Sequence, residues 1–427
     1  MSTIAEEITA LNTNLAAAKA AVTTAGGTVG DTGLAGLASE IATIPGGGGG
    51  GVVEKDINFY DYNGTLVESW TLAELANKTA LPANPTHAGL TAQGWNWTLA
   101  ELKTENSKMN VGQVYETTDG KTHLFVEVDA DHLSPMLGFG LNGTATVDWG
   151  DGSPTETATG SSEDTGVSLP HTYSQAGSYE VTIDVAEGST AQIRGYSSTV
   201  GYLWRLPVWS QTVTEEMLLY ASQLKGLWLG RRMYLGPNGS LTSHCINELV
   251  LSDYYPGHII PSYFMYNNSI KTGAVIIPRK FTVIYSNFLS KCKDFNGVIS
   301  LPPTITLIDS DFLSKCTKFN TTLTIPTSVS TINSSFMSDC QSFSKPLILP
   351  SSVSTLGDAF LSNCYSFREL KVDATATVSS NDYTLSCDSL FSSTFDDGVT
   401  ITGNSASTWL STFPVLISNR YRRTVSG

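Results

Sequence analysis

The first apolar positions of the chain, Ile4, Ile8, Leu11, Leu15, Ala18 and Val22, alternate spacings of four and three with mostly polar or small residues between. That rhythm predicts an amphipathic helix with a heptad seam. About three heptads are marginal in water without a partner. The seam therefore needs packing, either against the chain itself or against further copies. A trimer is the expectation, although the seam does not set the strand number. Six glycines, Gly46–Gly51, follow; they read as a flexible tether with a span of about 13 Å.

Beyond the tether the hydrophobic period falls to two. "INFYDYNGTLVESW" reads as two alternating strands turning at Asn63-Gly64, a strong hairpin signal. The hexapeptide "WTLAEL" occupies Trp70–Leu75 and again Trp97–Leu102, pairing Thr71 with Glu74 and Thr98 with Glu101. Threonine three residues ahead of glutamate forms a capping box, so each copy starts a short helix. Residues 53–109 thus predict a small α+β module. Its Trp70, Trp95 and Trp97 serve either as core or as a sugar-stacking face.

Residues 110–190 alternate strands with turn chemistry. Trp149-Gly150-Asp151-Gly152, His171-Thr172-Tyr173 and Gly177-x-Tyr179-x-Val181 resemble the motifs of polycystic-kidney-disease (PKD) type immunoglobulin-like domains. The resemblance implies a β-sandwich spacer or adhesion module. Asp148 and Asp151 are calcium candidates by the same resemblance. A turn-stabilising role competes, because calcium takes six to eight oxygens and only two carboxylates lie close in sequence.

In the last part of the chain, residues 191–427, a longer period takes over. Cys292, Cys316, Cys340 and Cys364 stand 24 residues apart. Phenylalanines hold the position four before each cysteine and the position three after, and Leu-Pro or Ile-Pro pairs follow. The cysteine column extends forward to Cys387 and back through Asn268, Cys245 and Ser222. A fixed period of this length predicts a solenoid whose turns bury their apolar faces on one another. A cysteine that asparagine or serine can replace is a small buried side chain able to hydrogen-bond weakly to the next turn. All six cysteines are therefore read as structural; disulfides would leave the polar replacements unexplained, and zinc would need clustered pairs.

The consensus F-L-S-x-C-x-x-F followed by L-x-I-P-x-S-V-x-x-I resembles the BspA-type leucine-rich repeats of bacterial surface antigens, over about residues 215–400. The resemblance implies short parallel strands at "GVISLP", "TTLTIP" and "KPLILP", with protein or glycan binding as the usual work. Ser300, Thr324, Asn296 and Asn320 are then the outward-facing binding candidates. The degenerate first repeats add Trp204, Trp209, Trp228, Tyr254, Tyr255, Tyr263 and Tyr266. Such aromatics either stack on sugars and anchor interfaces or close the solenoid's end as a cap.

Composition narrows the function. Charged residues make up 15% of the chain and the formal charge is −15, which argues against nucleic-acid binding. The six histidines are scattered, and HExxH, GxSxG, P-loop and dinucleotide fingerprints are missing. No enzyme and no cofactor is expected; solvated carboxylates such as Asp294, Asp309, Asp311 and Asp339 keep polysaccharide depolymerase as a lesser alternative. No segment has the length of a membrane helix, so no membrane insertion is expected. The start "MSTIAEEITALNTNL" lacks the features of a secretory signal. The first hundred residues, through "LNTNLAAAKAAVTTAGGTVGDTGLAGLASEIATIP" and the two "WTLAEL" segments, resemble the N-terminal regions of bacteriophage tail and fibre proteins.

The expected molecule is multidomain and mainly β: an oligomerising helical segment (1–45), a linker (46–52), the α+β module (53–109), the immunoglobulin-like domain (110–190) and the solenoid (191–427). The expected role is a phage virion protein, assembled in the host cytoplasm and released by lysis. It would dock on other virion proteins through its N-terminus and bind a host-surface glycan or protein through its solenoid. A head fibre or capsid decoration protein and a bacterial surface adhesin are the alternatives.

Overall fold

Asn63 and Gly64 turn the chain between β1 (Ile57–Tyr60) and β2 (Leu66–Trp70). Gly64 sits at φ +86°, and a Cβ there would lie 2.8 Å from the backbone of Gly273, so the turn admits only glycine. In the computed structural model, residues 54–193, 203–207, 214–236, 241–254, 257–270, 273–357, 359–372, 399–404 and 421–426 are described. The heptad seam, the glycine tether, Trp209, Tyr255 and Cys387 lie outside the described residues.

Both capping boxes form. Helix α1 (Leu72–Asn77) starts at Thr71, whose hydroxyl accepts from the Glu74 N–H while the Glu74 carboxylate accepts from the Thr71 N–H at 2.6 Å. The same exchange starts α2 (Leu99–Glu105) at Thr98 and Glu101. With β3 (Leu90–Trp95) and β4 (Met109–Thr117) the hairpin makes a four-stranded sheet in the order β2-β1-β4-β3. Trp70, Trp95 and Trp97 are buried with Ile57, Phe59, Leu102 and Met109. Phe59 meets Trp70 and Trp95 edge-on at 4.4 and 5.1 Å. These tryptophans are core.

The next strands are β5 (Thr122–Val128), β6 (Met136–Asp148), β7 (Glu156–Pro170), β8 (Gly177–Val185) and β9 (Thr190–Ile193). They do not end at residue 190. Beyond them come β10 (Trp204–Arg205), α3 (Glu215–Ser222), β11 (Leu224–Trp228), β12 (Met233–Leu235) and β13 (Glu248–Val250). One nine-stranded sheet runs β12-β9-β6-β8-β5-β11-β13, with β7 and β10 also pairing β6. β11 is antiparallel to β5 on one edge and parallel to β13 on the other. It therefore carries the hydrogen-bonded ladder from the antiparallel region into the parallel repeats.

The solenoid stacks two parallel ladders. β14 (Ile259–Ile260), β16 (Val283–Ile284), β18 (Leu307–Ile308), β19 (Thr331–Ile332) and β21 (Thr355–Leu356) pair in steps of 24 residues. On the other ladder, β15 (Ala274–Ile276) pairs β17 (Val298–Ser300), and β20 (Leu347–Leu349) pairs β22 (Glu369–Val372). β23 (Val399–Asn404) and β24 (Tyr421–Ser426) extend the latter. Two of the three expected strands therefore form. "TTLTIP" does not: its Thr322 carbonyl accepts from the Asn110 side chain at 2.8 Å, and the Thr321 hydroxyl donates to the Gly297 carbonyl at 2.7 Å. The molecule is mainly β, with few helices.

Candidate binding surface

The cysteine column lies inside the solenoid. Cys292, Cys316, Cys340 and Cys364 are buried, and each thiol donates to a carbonyl of the preceding turn: Met265, Leu289, Leu313 and Met337, at 2.9–3.1 Å. Asn268, in the same column, accepts from the Ile270 N–H through its Oδ1. Phe264, Phe288, Phe312, Phe336 and Phe360 stack on one side at 4.9–5.7 Å. A second stack, Phe295 to Phe367, follows each cysteine. Burial pushes the Cys292 thiol up to about 12, so it stays a neutral donor. Cys245 is half-buried, and none of these five cysteines is paired.

The outward candidates fare differently. Ser300 is fully buried, a correction to the outward placement expected of it. Its hydroxyl donates to the Asn110 carbonyl at 2.8 Å and accepts from Asn96 Nδ2 at 2.9 Å. The hydroxyl of Thr324 donates to the Lys108 carbonyl at 2.8 Å. What covers both is the α+β module, seated on the strand face of the repeats. Asn96 also donates to the Ile277 carbonyl, and Trp97 Nε1 donates to the Leu301 carbonyl at 2.9 Å. Arg279 grips both carboxylate oxygens of Glu101 at 2.6 and 2.7 Å. That bond holds the Glu101 carboxyl down to about 2. Tyr60 and Val114 of the module share an apolar cluster with Ala274, Ile276 and Val298.

Asn296 and Asn320 form a ladder of their own. Asn296 Oδ1 accepts from the Asn320 N–H at 2.7 Å, and Asn320 Oδ1 accepts from the Ser344 N–H at 2.9 Å. Each spends its side-chain acceptor on the next turn.

The aromatic candidates divide. Trp204 is fully buried, contrary to a surface role; its Nε1 donates to Gln223 at 3.0 Å and its ring tilts against Trp149. Trp228 is half-buried, edge-on to Phe125 at 4.7 Å and to Tyr62 at 6.0 Å. Tyr254 is 56% exposed beneath the guanidinium of Arg231. Tyr263 and Tyr266 are half-buried on a turn of the first repeats, their rings 5.3 Å apart. The Lys291 ammonium lies 4.9 Å above Tyr266.

Asp148 and Asp151 hold their turn. Asp148 accepts from the Gly150 N–H at 2.9 Å, Asp151 from the Ser153 N–H at 3.0 Å. The second oxygen of Asp151 faces His171 Nε2 at 2.9 Å, and His171 stacks on Trp149 at 4.4 Å. Among the described residues, no three metal-ligating side chains cluster, and no helix is long and apolar enough to cross a membrane.

The sequence reading predicted the module but missed its seat on the repeats. Its signal was faint: paired polar residues such as Asn96 and Asn110 beside buried tryptophans, with partners about two hundred residues away.

No curated protein and no solved structure matches the chain. The family model for the BspA type leucine rich repeat region matches residues 258–390 and 319–413, in six copies. A repeat array of this class suggests a surface adhesin or a protein-binding role. The 24-residue ladders of stacked phenylalanine and hydrogen-bonded cysteine are thus BspA-type leucine-rich repeats.

Proposed function

We propose that this chain is a phage virion adhesin whose BspA-type repeat array binds a host-surface glycan or protein. The observation that carries the reading is that array itself, with tyrosines left open on its turns. Placement on a virion rests on the resemblance of the first hundred residues to phage tail and fibre proteins. Trimeric assembly rests on the heptad seam of residues 4–22. The PKD-type reading of residues 110–190 is supported by its motifs meeting in space: Trp149 on His171, His171 against Asp151, and the Tyr173 hydroxyl donating to the Trp149 carbonyl at 3.2 Å. Repeats of this class are typically non-enzymatic, and binding without catalysis is the proposal.

The test is to label the full chain and measure its binding to host cells before and after their wall polysaccharide is stripped. Binding lost on stripping supports a glycan receptor; binding that survives supports a protein receptor. No binding to any infected host, with the chain assembled, overturns the adhesin and leaves a head fibre or decoration role. The same repeat class suits a bacterial surface adhesin, and fractionation separates the two: the chain co-purifies with virus particles or with the cell envelope.

A further inference from the structure

The strand face that a leucine-rich repeat would ordinarily offer is occupied in this chain by its own module, from Ile277 through Thr327. Over that span a ligand must meet another surface. The turn ridge presents one. Tyr263 and Tyr266 lie at right angles, 5.3 Å apart. The Tyr263 N–H donates to the carbonyl of Ser286, next to Tyr285, which is 38% exposed. The Lys291 ammonium sits over the Tyr266 ring. The Lys291 N–H donates to the Ser314 carbonyl, which places Lys315 beside it on the following turn.

Its lysines set this ridge apart. In a chain of charge −15, neither Lys291 nor Lys315 has a carboxylate within 4.0 Å among the described residues. Of the acids on these turns, Asp294 pairs with Lys318, while Asp309 accepts from Ser286 and Asn333, and Asp339, one turn beyond Lys315, accepts from Asn363. The backbone also disfavours these residues. Tyr263, Lys291 and Lys315 hold left-handed φ of 62°, 65° and 66°, where a side chain other than glycine or asparagine costs about 1–2 kcal/mol. Asn267, Asp339 and Asn363 occupy the lysine column in other turns at 54°, 62° and 59°, so a short polar residue meets the structural need there.

We propose that Tyr263, Tyr266, Tyr285, Lys291 and Lys315 form the recognition surface, and that its ligand is an acidic polysaccharide built of uronate pyranose rings. Tyrosine faces stack on sugar rings, and the lysines meet carboxylates spaced along the polymer. A poly(glycerol phosphate) would satisfy the lysines but has no ring for the tyrosines, so the ridge selects charged pyranose. The inference rests on the adhesin reading and names the ligand of the same solenoid.

The experiment is titration of the full chain with polygalacturonate, methyl-esterified polygalacturonate and poly(glycerol phosphate). The Lys291→Gln/Lys315→Gln double variant and Tyr266→Ala follow, with circular dichroism and melting temperature as folding controls. Expected are binding to polygalacturonate only, at least roughly tenfold weaker in each variant at unchanged fold, and weakening with salt. No binding to polygalacturonate, equal binding to the ester, equal binding to poly(glycerol phosphate), or full affinity in the folded double variant each overturns the proposal. Should Tyr266→Ala misfold, the lysine variant decides alone. Cell binding keeps the two readings apart. If the double variant binds cells as the parent does, the ridge is overturned and the adhesin stands. If the parent binds no cells, the adhesin falls, while the titration still decides the ridge.

Discussion

Each thiol of the column fills a gap between two phenylalanine stacks and gives its hydrogen to a carbonyl one turn back. Replacement should follow that geometry. Cys316→Ser keeps the donor and should cost about 1 kcal/mol, whereas Cys316→Val unpairs the Leu289 carbonyl and crowds the stacks, costing about 2–3 kcal/mol by urea unfolding. The pH response has a definite sign. Burial raises Cys292 to about 12 and lifts Cys316 and Cys340 well above the ordinary value. Unfolded thiols then ionise first. Stability is complete below about pH 9 and falls as pH rises toward 12, by up to about 1.4 kcal/mol per unit per thiol. A denaturation series across that window checks it. The column's chemistry was legible because asparagine and serine appear among its members. The left-handed backbone beside it was not, because Lys291, Lys315 and Ala359 carry no propensity for that region. Ala359, at φ 54°, gives the residue-scale test: Ala359→Gly should stabilise by about 0.5–1 kcal/mol in thermal melts.

At the scale of elements, the contact between α2 and the repeats turns on Glu101, which caps its helix and binds Arg279. Spacing revealed the cap, since Thr98 and Glu101 are neighbours along the chain. The ion pair joins residues 178 apart and left no local trace. Because its folded value is depressed to about 2, the Glu101 stabilisation is present above its ordinary titration near pH 4.5 and is lost as pH falls toward 2. With a third of the side chain exposed, solvent screens it, so Glu101→Gln should cost about 1 kcal/mol at neutral pH and progressively less as pH falls through about 2. Close packing at Gly112 is less forgiving: a Cβ there would lie 2.4 Å from Ile276 Cγ2. Gly112→Ala should weaken the module's seat by about 1–3 kcal/mol, seen as faster amide exchange in both β4 and β15. Ser300 shows the limit of pattern reading here. Its neighbours Ile299 and Leu301 alternate with it correctly, but alternation names a face without saying what covers it.

On the scale of the molecule, residues 56–427 form one compact unit. A solenoid cut free at residue 191 would lose β5 from the edge of β11 and bare Val250 and Ile276. Such a fragment should aggregate on size-exclusion chromatography, while residues 56–427 elute as a single folded species. The same covered face sets a timetable for biosynthesis. Asn96 and Trp97 emerge from the ribosome 204 residues ahead of Ser300 and Leu301, their partners. At about 5–20 residues per second, the nascent module waits roughly 10–40 s with its docking surface uncovered. Until then Tyr60, Val114 and Trp97 of that surface stand without their partners, a demand of translation rather than of the finished fold.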